Sequence, residues 1–257
     1  MIAAARIAGS HALVTGGGSG VGRAIALALA EAGVAVTISG RREAELAKVA
    51  GENARIHGIA ADVTDEVAMA ALYKEAEAAR GPFDIVVANA GMAGSTPAHK
   101  TALADWQRTL DVNLTGAFLT VKPALAGMAA RKAGRIVFVA STAGLKGYAY
   151  VAPYVAAKHG VVGLMRALAA ETAKSGVTVN AVCPGFVETD MLEESVQRIV
   201  DKTGRSVAEA RANLASSNPQ GRFIQPQEVA AAVIWLCGNA AASITGQAIS
   251  ISGGETW

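Results

Sequence analysis

The sequence predicts an α/β fold: a doubly wound, mainly parallel sheet of about seven strands with helices on both faces. Three observations predict it. Short β-branched apolar runs alternate with longer alanine-rich stretches along nearly the whole chain. Runs such as Ile136-Val137-Phe138-Val139-Ala140 show no polar alternation, as strands buried on both faces require. The first apolar run also ends directly in a cluster of glycines.

The elements follow in order. Residues 11–15 (HALVT) form a strand that stops at the glycines, and 22–32 the helix they open. Residues 34–39 are the next strand and 43–50 a helix; 55–60 a strand and 65–79 a helix. The run 84–88 (DIVVA) is a strand, followed by one long helical region over 103–132. Then come strand 135–140, helix 153–175, strand 177–182, helix 227–237 and a last strand at 248–251. Right-handed crossovers between parallel strands give the doubly wound arrangement. No linker, repeat or low-complexity stretch divides the chain, so a single domain over 1–257 is expected. Residues 186–223 are richer in polar and charged side chains and break the alternation, which is expected of a functional lid.

Composition narrows the function classes. A net charge of +2 without a basic run, and with few aromatics, gives nucleic acid no footprint. No apolar run reaches the ~18 residues of a membrane span, so no membrane partner is expected. The first ten residues lack the apolar stretch of a secretory leader. Cys183 and Cys237 are far apart and read as single buried thiols, which fits a cytoplasmic, reducing location. His11, His57, His99 and His159 are scattered, and no grouping with cysteines or carboxylates recommends a metal.

Thr15–Gly22 reads TGGGSGVG, with five glycines in seven residues between a strand and a helix. Side chains there would keep a pyrophosphate from the backbone, and the helix start offers free N–H groups and a positive dipole end. This is the placement of a dinucleotide turn in a Rossmann fold, although the spacing Gly16–Gly20–Gly22 is wider than the usual fingerprint. The second strand ends Ile38-Ser39-Gly40-Arg41-Arg42, with no acid before Glu43 to take a ribose 2′-hydroxyl. Arg41 and Arg42 suit a 2′-phosphate, which favours NADP(H) over NAD(H); a solvated arginine pair opening a helix is the plainer reading. Asp62, followed by Val63, either accepts from an adenine amino group or caps the next turn. Asn89-Ala90-Gly91 follows the fourth strand, where small residues let the backbone line the cofactor.

Tyr154 and Lys158 stand four residues apart, on one face of a predicted helix. A free phenol titrates near ~10. An adjacent ammonium and a positive nicotinamide ring both favour the phenolate, so the expectation is an acidic tyrosine that exchanges a proton with a carbonyl/alcohol pair. Ser141, at the end of strand 135–140, would hydrogen-bond the same oxygen.

With these residues in place, the chain resembles the short-chain dehydrogenase/reductase family. The matching residues are TGGGSGVG, Asp62, Asn89–Gly91 (NAG), Asn113 in DVNLTG, Ser141, Tyr154–Lys158 (YVAAK), and Pro184, Gly185 and Thr189 in PGFVET. They run in order over nearly the whole chain. The resemblance implies four catalytic positions. Asn113 would hold a relay water, Ser141 orient the substrate, Tyr154 serve as acid/base, and Lys158 tune Tyr154 and bind the nicotinamide ribose. A buried asparagine bracing backbone across a helix kink is a compatible role for Asn113. The resemblance further implies cofactor contacts at Gly16, Gly18, Ser19, Gly20, Val21, Gly22, Arg41, Arg42, Asp62, Val63, Asn89, Ala90, Gly91, Tyr154, Lys158, Pro184, Gly185, Val187 and Thr189. Residues 154–191 and the run GRFIQPQEVA are most similar to polyketide and 3-oxoacyl reductases. One departure is Ser19, where some NADP-using relatives carry a basic residue.

The substrate is expected to meet segments 92–99, 142–151 and 186–223. Their Met92, Leu145, Tyr148, Tyr150, Met191 and Leu192 suit an apolar or acyl-type ketone. Arg198, Lys202, Arg205, Arg211 and Arg222 would greet the phosphates of a coenzyme A or carrier-protein thioester, or else are helix charges balanced by nearby acids. Small residues on helices 103–132 and 153–175 match faces that relatives pair between subunits, implying a homotetramer or homodimer. Two competing readings are NAD-dependent oxidation of a secondary alcohol and a non-catalytic dinucleotide sensor. The sensor would have no need to keep Ser141, Tyr154 and Lys158 together.

Overall fold

A computed structural model describes Ile7 and residues 9–257. The reading of the first ten residues as lacking a leader lies mostly outside these. Seven parallel strands form one sheet, β1 (His11–Thr15), β2 (Ala35–Gly40), β3 (Ile56–Ala60), β4 (Ile85–Ala88), β5 (Gly134–Val139), β6 (Val177–Pro184) and β7 (Ala248–Ile251), in the order β3-β2-β1-β4-β5-β6-β7.

The absence of polar alternation in the strands has its cause in the two faces. Successive side chains point to opposite sides of a sheet, and both sides are covered. On β1, Leu13 enters one core while Ala12 and Val14 enter the other; on β5, Ile136 and Phe138 oppose Val137 and Val139. Helices α1 (Gly20–Glu31), α2 (Glu43–Ala50) and α9 (Pro226–Cys237) cover one face. On the other lie α3 (Glu66–Arg80), α5 (Gly116–Arg131) and α6 (Ala152–Thr172). The strand order reverses between β1 and β4, and that reversal opens a crevice at the carboxyl ends of the strands.

One sequence expectation needs correction and one gains detail. The helical region 103–132 is not uniform: α4 (Leu103–Leu110) passes through a π-helical turn, Asp111–Thr115, into α5. The excursion 186–223, to which the sequence assigned no element, holds α7 (Asp190–Thr203) and α8 (Val207–Ala215). Leu192, Val196, Ala210 and Phe223 form a small core of their own there. Ser206 caps α8 reciprocally with Glu209.

Both cysteines are buried and unpaired. Among the described residues, no helix is long and apolar enough to cross a membrane and no three metal-binding side chains group together.

Candidate active site

A cleft of about 980 Å³ opens over the carboxyl ends of the strands. Every residue that the sequence nominated for catalysis or cofactor contact lines it, and Thr189 stands against the glycine turn, where a Cβ on Gly20 would lie 3.1 Å from its Cγ2.

The cofactor end begins at the turn after β1. Gly16 has φ +66°, and a Cβ on Gly22 would fall 2.2 Å from the Gly16 carbonyl oxygen, so α1 closes on the turn only because Gly22 has no side chain. Ser19 precedes α1 without a side-chain cap, and no acid stands in its first turn. The start of α1 therefore presents N–H donors and a positive dipole end to the cleft, a fit for phosphate. Asn89 holds the turn from β4. Its Nδ2 donates to the carbonyls of Thr15 at 2.8 Å and Gly16 at 3.3 Å. The Thr15 hydroxyl accepts in return from the N–H groups of Asn89 and Ala90. Asn89 is thus a brace as well as a lining residue, a role that its small neighbours did not suggest.

Arg41 and Arg42 leave β2 exposed at the cleft, with Arg42 Nη2 3.4 Å from the Ser19 hydroxyl. Asp62 Oδ1 accepts from the Thr64 N–H at 2.9 Å and hydroxyl at 2.8 Å. The capping reading of Asp62 is therefore the one the geometry displays. These bonds, aided by the charge of Arg41, hold its carboxyl below the usual range.

The reacting end is built from β5, α6 and the π turn. Lys158 is 4% exposed, and its Nζ donates to the Val139 carbonyl at 2.9 Å and stands 5.6 Å from the centre of the Tyr154 ring. Ser141 follows β5; its hydroxyl accepts from the Ala143 N–H at 3.1 Å and is near enough to the Tyr154 phenol to lower its pKa. The expectation that the ammonium makes this phenol acidic is not met in the protein alone. Burial raises the Tyr154 pKa and outweighs the effect of Ser141, which lowers it. Burial also pushes Lys158 down to about 8. Desolvation penalises the charged form of both groups, and here it is the largest influence on each.

Asn113 sits in the π turn, 1% exposed. Its Nδ2 donates to the carbonyls of Met92 and Thr109, both at 2.9 Å, and its Oδ1 accepts from the Met92 N–H at 3.2 Å. Bracing across the helix irregularity is what its side chain does. A Cβ on Gly91 would lie 2.9 Å from Asn113 Oδ1 and 3.8 Å from Lys158 Nζ, so the lysine and asparagine flank one small residue.

The outer half of the cleft takes Met92, Tyr148, Tyr150, Met191 and Leu192, but not Leu145, which packs against the core under β5 instead. Tyr150 has φ +68°, unusual for a bulky side chain, and its carbonyl accepts from the Thr96 N–H at 2.7 Å. Across the opening, Lys202 of α7 donates to the Ser95 carbonyl at 2.9 Å. The five basic candidates divide. Arg198, Lys202 and Arg205 line the cleft. Arg211 instead pairs with Glu188 and Glu193, and Arg222 with Glu228, so these two leave the list of phosphate contacts. Sequence reasoning missed Thr142, Ser195 and Asn213 as individual lining residues. The helical spacing of α7 was the signal available for Ser195.

Comparison with known proteins agrees with this geometry. Residues 10–199 match the family model described as short chain dehydrogenase. A D-beta-hydroxybutyrate dehydrogenase of Cupriavidus necator is 38% identical, over 96% of this chain and 97% of the relative. A 3-oxoacyl-[acyl-carrier-protein] reductase of Vibrio harveyi is also 38% identical, again over 96% and 97%. A crystal structure of an actinorhodin polyketide ketoreductase variant with NADPH superposes with a TM-score of 0.93 at 40% identity, covering 96% of this chain and 97% of that one.

Proposed function

Since the chain belongs to the short-chain dehydrogenase/reductase family, and so is an oxidoreductase acting on CH–OH groups, we propose that it reduces a 3-oxoacyl-type or other apolar ketone with NADPH. The observation that carries this reading is the meeting of Ser141, Tyr154 and Lys158 in one cleft with an anion-receptive glycine turn.

The glycine turn, Arg41 and Lys158 would hold the dinucleotide, which would supply the hydride and, once oxidised, a positive charge. The protein does the rest. Ser141 and Tyr154 hold the carbonyl oxygen between two hydroxyls, which fixes the carbon for attack and stabilises the growing alkoxide. Tyr154 gives its proton to that oxygen, and the raised pKa of the half-buried phenol keeps the proton in place until then. Lys158 then returns a proton to the phenolate and regains one from solvent, in a relay that runs beside Asn113 and Gly91. The reverse sequence oxidises a secondary alcohol.

Arg41 and Arg42 support NADP(H) over NAD(H), because no carboxylate replaces them at the end of β2. Met92, Tyr148 and Met191 support an apolar substrate, and Arg198, Lys202 and Arg205 support an anionic handle such as a coenzyme A or carrier-protein phosphate. Residues 186–223 act as the lid in this proposal, fastened by Lys202 to Ser95. The chain works as one domain in the cytoplasm, where its buried thiols stay reduced. The test is absorbance of the reduced nicotinamide with a ketone panel, NADPH and NADH run in parallel. NADPH-dependent turnover of a 3-oxoacyl thioester supports the reading; no turnover of any ketone with either cofactor refutes it.

A further inference from the structure

One buried carboxylate lies outside the chemistry described so far. Glu255 follows β7, and its side chain is 2% exposed. Its Oε1 accepts from the Tyr148 hydroxyl at 2.6 Å and from Lys146 Nζ at 3.0 Å. Its Oε2 has no hydrogen-bond partner and faces Gly185, where a Cβ would come within 3.1 Å of it. Burying a carboxylate is costly unless it is paired, so the contacts to Tyr148 and Lys146 hold Glu255 in place as firmly as it holds them.

The consequence falls on Tyr148. A phenol has one proton. Tyr148 gives it to Glu255 and therefore accepts from the Thr142 hydroxyl at 2.6 Å. Lys146 Nζ also stands 4.9 Å from the centre of the Tyr148 ring. The ring is gripped at its oxygen and over its face, and it lines the same cleft as Tyr154. The segment carrying Glu255 is fixed as well. Gly253 has φ +64°, and a Cβ there would fall 1.9 Å from Asn218 Oδ1, at the base of segment 186–223.

We propose that Glu255 is a positioning residue for substrate selection, which acts through Tyr148 to set the wall beside Tyr154 and so the face of the ketone that is reduced. The proposal rests on the reductase reading above. Three variants test it: Glu255→Ala, Glu255→Gln and Tyr148→Phe. Each is assayed with NADPH on ethyl acetoacetate and on the bulkier ethyl benzoylacetate, with product enantiomers resolved by chiral chromatography. Glu255→Ala and Tyr148→Phe are expected to raise KM for ethyl acetoacetate at least fivefold and to lower the enantiomer ratio at least fivefold. For Glu255→Ala, kcat stays within threefold and the NADPH Kd within twofold. Glu255→Gln keeps an acceptor for the Tyr148 hydroxyl and is expected to restore the ratio to within twofold of wild type. An unchanged ratio in folded Glu255→Ala overturns the proposal, as does a parallel loss of kcat and NADPH binding. Should Glu255→Ala fail to fold, Tyr148→Phe decides alone, and a wild-type ratio in that variant overturns it. Absence of wild-type turnover on these esters and on the whole ketone panel, with either cofactor, sinks the reductase reading, whereas active wild type with indifferent variants sinks only this proposal.

Discussion

Lys158 reaches past the Tyr154 ring, 5.6 Å from its centre, to donate to the Val139 carbonyl at 2.9 Å. The ammonium is thus anchored to the sheet and lies beside the phenol without bonding to it. Tyr154→Phe removes the proton donor and leaves this anchor untouched. Ketone reduction should fall by roughly 10²–10⁴-fold, while NADPH binding by fluorescence titration stays near wild type. Retained turnover would remove Tyr154 from its assigned role.

The depressed pKa of Lys158 has a sign that can be measured. Burial lowers it to about 8, against 10.5 for the free side chain. Below pH 8 the folded state carries the full penalty of a buried ammonium. Between pH 8 and 10.5 the folded state sheds its proton before the unfolded chain does, and the penalty fades. Relative to Lys158→Met, wild-type unfolding free energy from urea titrations should rise by roughly 3 kcal/mol between pH 7 and pH 10.5. A flat difference would mean that the lysine titrates as if in water.

His11 gives the opposite edge of the pH range. It is fully buried, its ring centre 4.2 Å from that of Phe83, with Nδ1 2.8 Å from the Gly81 carbonyl and Nε2 2.9 Å from the Thr37 hydroxyl. Burial lowers its pKa below 6.5. The unfolded chain takes up the proton first, so stability should fall as pH drops through 6.5 toward the folded value. His11→Gln should be less stable at pH 7 and should lose this step in a denaturation series from pH 7 to 5.

Arg41→Ala should weaken NADPH binding about tenfold to a hundredfold, the range of a lost charge-assisted contact, and leave NADH binding nearly unchanged. Equal weakening of both cofactors would overturn the NADP assignment.

Asn89→Ala leaves the carbonyls of Thr15 and Gly16 without their donor. Stability should drop by about 1–3 kcal/mol, and NADPH binding should weaken with it, because the turn that receives the phosphates is no longer held. Thermal melts with and without NADPH would separate the two effects.

How much of this was legible depends on how local each signal is. All seven strands lie within two residues of their predicted ends, because β-branched runs such as Ile136–Val139 are bounded by glycine or polar residues. The glycine turn and the Tyr154–Lys158 pair are short motifs, and the sheet carries them to one cleft. Asp111–Thr115 has no composition that distinguishes it from α-helix, and only the reading of Asn113 as a brace across a helix kink pointed to the π turn. Helix α7 was readable from Leu192, Val196, Ile199 and Val200 at helical spacing, but its many charges masked the pattern. The Tyr148–Glu255 contact joins residues 107 positions apart, and no local pattern announces it. The raised pKa of Tyr154 in the protein alone escapes the sequence, which shows the neighbouring charge and hides the desolvation.

The widened turn at Asp111–Thr115 puts the rod formed by α4 and α5 out of phase with itself. Downstream, α5 is seated on the sheet and α3; upstream, α4 leans on α6. One surplus residue between them rotates the two stretches by about 100° relative to a uniform helix, and that offset lets both contacts form at once. Deleting a single residue there would give a more regular helix whose upstream half faces the wrong neighbour, so greater local order would come at the expense of the cleft.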